Sequence, residues 1–162
     1  MTKICIYGAG AIGGYLASAL DQAGAEVSLV ARGPHLQAIQ EKGLRFEKDG
    51  QIFTHHLPAS ENPNEFGPQD FVLIAVKAHG IPKIAQNLIP LLGSETAVVS
   101  AVNGLPWWYF HKAASGTALD DQPLQSVDPG GVIWETIGPE RAIGCVVYPA
   151  CEIAEPGLIR HL

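Results

Sequence analysis

Residues 6–15 read IYGAGAIGGY, and the fold turns on them. Four glycines (Gly8, Gly10, Gly13 and Gly14) fall within seven residues, just where a helix is expected to begin. Glycine disfavours a helix interior by about 1 kcal/mol relative to alanine, so its density here needs a reason. Either the chain makes a bare tight turn, or some group must come close enough to touch the main chain. Upstream, residues 3–7 (KICIY) form a short apolar strand. Downstream, Ile12, Leu16, Ala19, Leu20 and Ala23 recur at helical spacing, and Gly24 is placed to stop that helix. Residues 26–31 (EVSLVA) read as a second strand. Strand, helix and strand make a unit of roughly thirty residues, the kind that builds a parallel sheet.

In that setting Gly8, Gly10 and Gly13 fit the pattern GxGxxG. Gly8 permits the turn from strand to helix. Gly10 has no side chain to keep a diphosphate from the backbone, and Gly13 lets the helix lie close on the sheet. The N–H groups and positive dipole end of the helix then face the phosphates. Gly8, Ala9, Gly10, Ala11, Ile12 and Gly13 are therefore candidate cofactor-binding residues. Gly14 belongs to neither role and is read as an aid to helix packing.

The end of the second strand discriminates between dinucleotides. An acidic residue there would accept from the ribose 2′-OH of NAD and repel a 2′-phosphate. Arg32 stands there instead, followed by Gly33, and a guanidinium fork suits a phosphate. NADP(H) is the expected cofactor; the alternative for Arg32 is a solvated surface charge. Lys77 in IAVKAHG and Asn103 in SAVNGLP also follow apolar strands, at the carboxyl ends where open α/β sheets bind ligands. Taken alone, such a lysine is more often a solvated charge and an Asn-Gly pair more often a turn; their shared place beside the expected cofactor cleft balances that with a functional reading.

The remaining chain continues the alternation. Pro34 suits the first turn of a second helix, with Leu36 and Ile39 on its apolar side and Gly43 as its stop. Residues 44–57 alternate about Asp49-Gly50, a hairpin signal, and residues 61–69 are a polar loop. The almost wholly apolar run 70–76 is a strand covered on both faces. A helix over 81–92, a strand over 96–102, a turn-rich loop over 114–131 and two strands within 142–153 and 157–162 complete the pattern. The expected class is α/β: a Rossmann-type doubly wound, mostly parallel sheet with helices on both faces. A chain ending in a strand with an open edge is expected to be the front part of a longer protein.

Composition narrows the function. The formal charge is −6, with 16% charged and 47% hydrophobic residues, which suits one well-buried domain. It leaves no basic footprint for nucleic acid and no polybasic membrane patch. Cys5, Cys145 and Cys151 lack CxxC spacing and read as reduced thiols, and no leader is expected before the first strand. A cytoplasmic location is expected.

GAGAIGG, ARG, AVKAHG and NGLPWWYF, with the tail GCVVYPACEIAEPGLIRH, together resemble the ketopantoate reductase (2-dehydropantoate 2-reductase) family over essentially all 162 residues. The resemblance implies an NADP-binding domain followed by a helical domain, with the active site between them. It also implies reduction of the C2 ketone of ketopantoate to pantoate, on the route to pantothenate and coenzyme A. Gly8 to Gly13 would hold the diphosphate, and Arg32 the 2′-phosphate. Lys77 and Asn103 would line the cleft, Asn103 towards nicotinamide and substrate, and Ile153 would lie by the nicotinamide end. The general-acid lysine and the substrate-specifying residues of the family fall beyond Leu162. Lys77, His79 and Tyr109 are the nearest candidates, and none matches that acid. The chain alone is therefore expected to bind NADPH but to reduce the 2-oxoacid poorly. A non-catalytic NADP(H)-sensing module and a related β-hydroxyacid dehydrogenase remain alternatives. Oligomeric state is left open, a homodimer included.

Other features read as structural. Trp107, Trp108, Tyr109 and Phe110 suggest core or domain-interface packing. His55 and His56 point to opposite faces of a strand and cannot share a metal, and the other histidines are scattered. Cys151 has no neighbour in sequence that would activate it.

Overall fold

The structure, a computed structural model, describes residues 1–113 and 115–162. The glycine-rich turn joins β1 (Lys3–Tyr7) to α1 (Ala11–Gln22), which leads to β2 (Glu26–Val30) and α2 (Gly33–Lys42). A hairpin of β3 (Leu44–Lys48) and β4 (Gln51–His55) and a two-residue strand, β5 (Ala59–Ser60), come next. After these lie β6 (Gln69–Ile74), α3 (Ile81–Ile84), β7 (Leu92–Ser100), α4 (Val132–Ile137) and β8 (Ala142–Gly144). The last two strands are β9 (Cys151–Glu155) and β10 (Leu158–His161).

Six strands form one parallel sheet in the order β5-β2-β1-β6-β7-β8. The order runs outward from β1 in both directions, and it leaves a crevice at the carboxyl ends where the direction of winding reverses. Alternating side chains serve both faces of the sheet. Cys5, Tyr7, Val72 and Ile74 pack with Ile81, Leu88, Trp107, Ile133 and Ile137 on one side. Ile4, Ile6 and Leu73 pack with Ala17, Ile39, Leu44 and Ile159 on the other. The doubly wound α/β class expected from the sequence is the one observed.

Four departures have physical causes. The helix expected over 81–92 is α for one turn only, and residues 85–91 form a 3-10 helix. Pro90 can donate no bond to residue 86 and crowds that carbonyl, so the α-helix does not run on. The run 142–153 is two strands, not one: β8 extends the parallel sheet, while β9 belongs to a second sheet of order β4-β3-β10-β9. The final strand is likewise no edge, because β10 pairs with β3 on one side and β9 on the other. Ala59 and Ser60, just before the polar loop, form the sixth parallel strand. The turn-rich reading holds for residues 115–131, and Ala114 lies outside the described residues.

The second sheet lies against α1, and Gly14 makes this approach close. A Cβ there would sit 2.5 Å from Ile159 Cγ1. The hairpin is pinned to the same helix by His55, whose Nε2 lies 2.9 Å from Ser18 Oγ and whose Nδ1 lies 2.6 Å from Asp21 Oδ2. These three side chains have the composition of a hydrolytic triad, but Ser18 is only 1% exposed and no substrate reaches it. His55, the last residue of β4, is buried, and His56, just beyond the strand, is exposed.

Candidate functional site

Register places the sequence-predicted residues along one edge. Tyr7 is level with Val30 and Ile74, Ile74 with Ser100, and Ser100 with Gly144. The chain therefore leaves the sheet at Gly8, Ala31, Ala75, Ala101 and Cys145 in one row. Arg32, Lys77 and Asn103 follow within three residues of that row, and all three are exposed. Gly8 and Lys77 are brought close by contact: a Cβ on Gly8 would lie 2.7 Å from Cγ1 of Val76, next to Lys77.

The three motif glycines do different work. Gly8 has φ +104, outside the range that L side chains readily adopt. A Cβ on Gly13 would collide with the carbonyl oxygen of Gly8 and sit 3.2 Å from Ile6 Cγ2. Gly10 is unlike both. Its φ is ordinary at −72, and a Cβ there would meet nothing within 4 Å. Packing requires two of the three, and only Gly10 has open space above it.

The N-terminus of α1 is correspondingly open. Gly8 and Ala9 both donate to the Val30 carbonyl, at 2.9 and 3.3 Å. From Gly10 to Gly13 the N–H groups find no acceptor among the described residues, no side chain caps the helix and no acidic residue lies in its first turn. Free donors at a helix start, with the dipole behind them, form an anion site. The second helix repeats the pattern. Arg32 is the N-cap residue of α2, without a side-chain cap or an acid in the first turn.

Among the arginines, Arg45 pairs with Glu155 at 2.8 Å, and Arg160 with Glu47 at 2.9 Å and Glu152 at 3.2 Å. Arg141 donates to the carbonyls of Gly93, Ser94 and Thr96 at 2.8–3.2 Å. Arg32 alone has no partner among the described residues. In a chain of net charge −6, a guanidinium without a partner among the described residues, beside an uncapped helix start, is chemically suited to an anion.

Known proteins share the sequence and the fold of this chain. Residues 4–116 match the family model described as ketopantoate reductase PanE/ApbA. The 2-dehydropantoate 2-reductase of Mesorhizobium japonicum is 52% identical over 161 residues, 99% of this chain and 49% of that protein. The chain belongs to the ketopantoate reductase family. Solved structures share the frame. A ketopantoate reductase candidate from Ralstonia solanacearum MolK2 superposes with a TM-score of 0.91 at 44% identity, over all of this chain and 50% of that one. A PanE/ApbA family ketopantoate reductase from Ralstonia eutropha JMP134 gives 0.74 at 30% identity, over 99% and 46%. The chain thus spans about half the length of the relatives it matches.

Ile153 is not at the strand ends. It lies on β9 in the second sheet, opposite Ile159 and 48% exposed. The turn after β9 does reach the glycine loop, through a residue that sequence reading left among the scattered histidines. His35 Nε2 lies 2.6 Å from the Ala9 carbonyl oxygen, and the Gly157 N–H donates to His35 Nδ1 at 3.0 Å. Burial lowers the His35 pKa, partly opposed by the Ala9 bond. Its position in the first turn of α2, three residues after Arg32, was the available signal.

The remaining groups are structural. Trp107 is buried in the core, edge-on to Trp108 and Trp134. Burial raises the pKa of Cys5 to about 11 and pushes that of Cys151 up as well, so neither is an activated thiol. Among the described residues no cluster of His, Cys, Asp and Glu could hold a metal, and no helix is long and apolar enough to cross a membrane.

Proposed function

We propose that this chain is the NADPH-binding part of a 2-dehydropantoate 2-reductase, which reduces ketopantoate to pantoate for pantothenate and coenzyme A synthesis in the cytoplasm. The observation that carries the reading is the uncapped start of α1 with open space over Gly10, beside the one arginine that has no partner among the described residues. These features fit a dinucleotide diphosphate and a 2′-phosphate. Gly8, Ala9, Gly10, Ala11, Ile12 and Gly13 would shape and line the diphosphate cradle, and Arg32 with the start of α2 would hold the 2′-phosphate. Lys77 and Asn103 would line the cleft, Asn103 nearest the 2-oxoacid, and Ile153 would border the nicotinamide end. When bound, the cofactor supplies a hydride to the C2 ketone. The lysine that protonates the product oxygen is proposed to lie in the part of the protein that these 162 residues do not cover, as are the substrate-specifying groups.

Isothermal titration of the wild type and Arg32→Ala with NADPH and NADH tests the cofactor assignment. Loss of one charge-assisted phosphate contact should cost about 1.5–3 kcal/mol, or roughly ten- to 150-fold in Kd, for NADPH alone. Equal loss for both dinucleotides returns Arg32 to the solvated surface.

A further inference from the structure

We propose that His35 is a positioning residue for the dinucleotide loop: it fixes the plane of the Ala9–Gly10 peptide and so aims the Gly10 N–H at the diphosphate. This inference rests on the dinucleotide reading above and assigns His35 a role within that site.

The bonding of the imidazole defines its state. A carbonyl oxygen only accepts, so Nε2 facing Ala9 must carry the proton. A peptide N–H only donates, so Nδ1 facing Gly157 must be bare. One neutral tautomer satisfies both partners, and the burial that lowers the His35 pKa favours that neutral form. The ring is held from both sides, and Gly157 has little freedom to withdraw. Its φ is +77, and a Cβ there would approach Ala38 Cβ to 2.9 Å.

The consequence for the loop follows from peptide geometry. In a trans peptide the carbonyl and the following N–H point in opposite directions, and the chain contains no cis peptide bond among the described residues. Drawing the Ala9 oxygen onto His35 therefore turns the Gly10 N–H away from His35. That N–H is the first in the loop without an acceptor, since those of Gly8 and Ala9 are both taken by Val30. Without His35 the Ala9–Gly10 peptide loses its only side-chain tether among the described residues. Glycine at position 10 resists rotation of that plane less than any other residue would. The same ring ties the loop to the β9–β10 turn, so the cradle and the second sheet are held as one piece.

Asparagine and glutamine separate the two bonds, because their amide groups fall near Nδ1 and Nε2 of histidine respectively. His35→Gln can still donate to Ala9, whereas His35→Asn can only serve Gly157. Calorimetric titration of wild type, His35→Ala, His35→Asn and His35→Gln with NADPH and NADH is the test, with thermal unfolding recorded alongside. His35→Ala and His35→Asn should bind both dinucleotides about five- to tenfold more weakly, by equal factors, because the diphosphate is common to both. His35→Gln should return to within about twofold of wild type. Unchanged affinity in His35→Ala overturns the proposal. So does an equal loss in the Asn and Gln variants, or a loss that merely tracks the melting temperature. Wild-type protein that binds neither dinucleotide overturns the functional reading, and this inference with it; normal wild-type binding with indifferent variants overturns this inference alone.

Discussion

Gly13→Ala is expected to destabilise the chain by about 3 kcal/mol or more and to remove measurable NADPH binding. Helix propensity alone predicts the opposite sign, because alanine in a helix interior is about 1 kcal/mol better than glycine. Contact geometry reverses it. The added methyl would collide with the Gly8 carbonyl oxygen, a backbone atom that no rotamer change can move, and would press on Ile6 Cγ2 at 3.2 Å. Relief requires α1 to lift from β1. That also displaces Gly14, which is already seated against Ile159 and Leu44, and breaks the shared row that sets Gly8 beside Val30. Urea unfolding with linear extrapolation measures the change. A variant as stable as wild type would mean that α1 is not held this close to the sheet.

Gly10→Asp should separate stability from binding. Position 10 has φ −72 and ψ −162, open to any residue, and empty space where a Cβ would go. It is also the N-cap of a helix without a side-chain cap. Aspartate is among the best N-cap residues and its charge suits the helix dipole, so stability should hold or rise by a few tenths of a kcal/mol. The same carboxylate occupies the N–H groups that a diphosphate needs and repels its charge. NADPH affinity should fall by at least about 100-fold, equivalent to about 2.7 kcal/mol. A protein that folds as well and binds worse is the expected pair of results. Loss of both, or of neither, removes the distinction drawn between Gly10 and the other glycines.

Much of this was legible in the sequence because local chemistry and tertiary demand coincide there. The GxGxxG turn, the β1–α1–β2 unit and the Asp49-Gly50 hairpin each follow from short-range backbone preferences, and Asp49 and Gly50 both take positive φ as that turn requires. Arg32, Lys77 and Asn103 were readable because a residue that follows a strand in a parallel sheet has only one edge to occupy.

The second sheet was not legible. The parallel pairing of Leu158–Arg160 with Arg45–Glu47 joins segments over a hundred residues apart, and no turn chemistry announces such a contact. Its closest marker in sequence was Gly14, a glycine without a place in the motif. His35 was hidden for the same reason: each of its two partners is a backbone group, and a backbone group has no sequence signature. The shortened helix after β6 has its marker in sequence at Pro90.

Soaking crystals of the chain in NADPH and locating the diphosphate tests the central claim most directly. The predicted result is density against the N–H groups of residues 10–13, with the 2′-phosphate at Arg32. Coenzyme seated elsewhere, or a helix start that stays bare or is plugged by a neighbouring side chain, would contradict it.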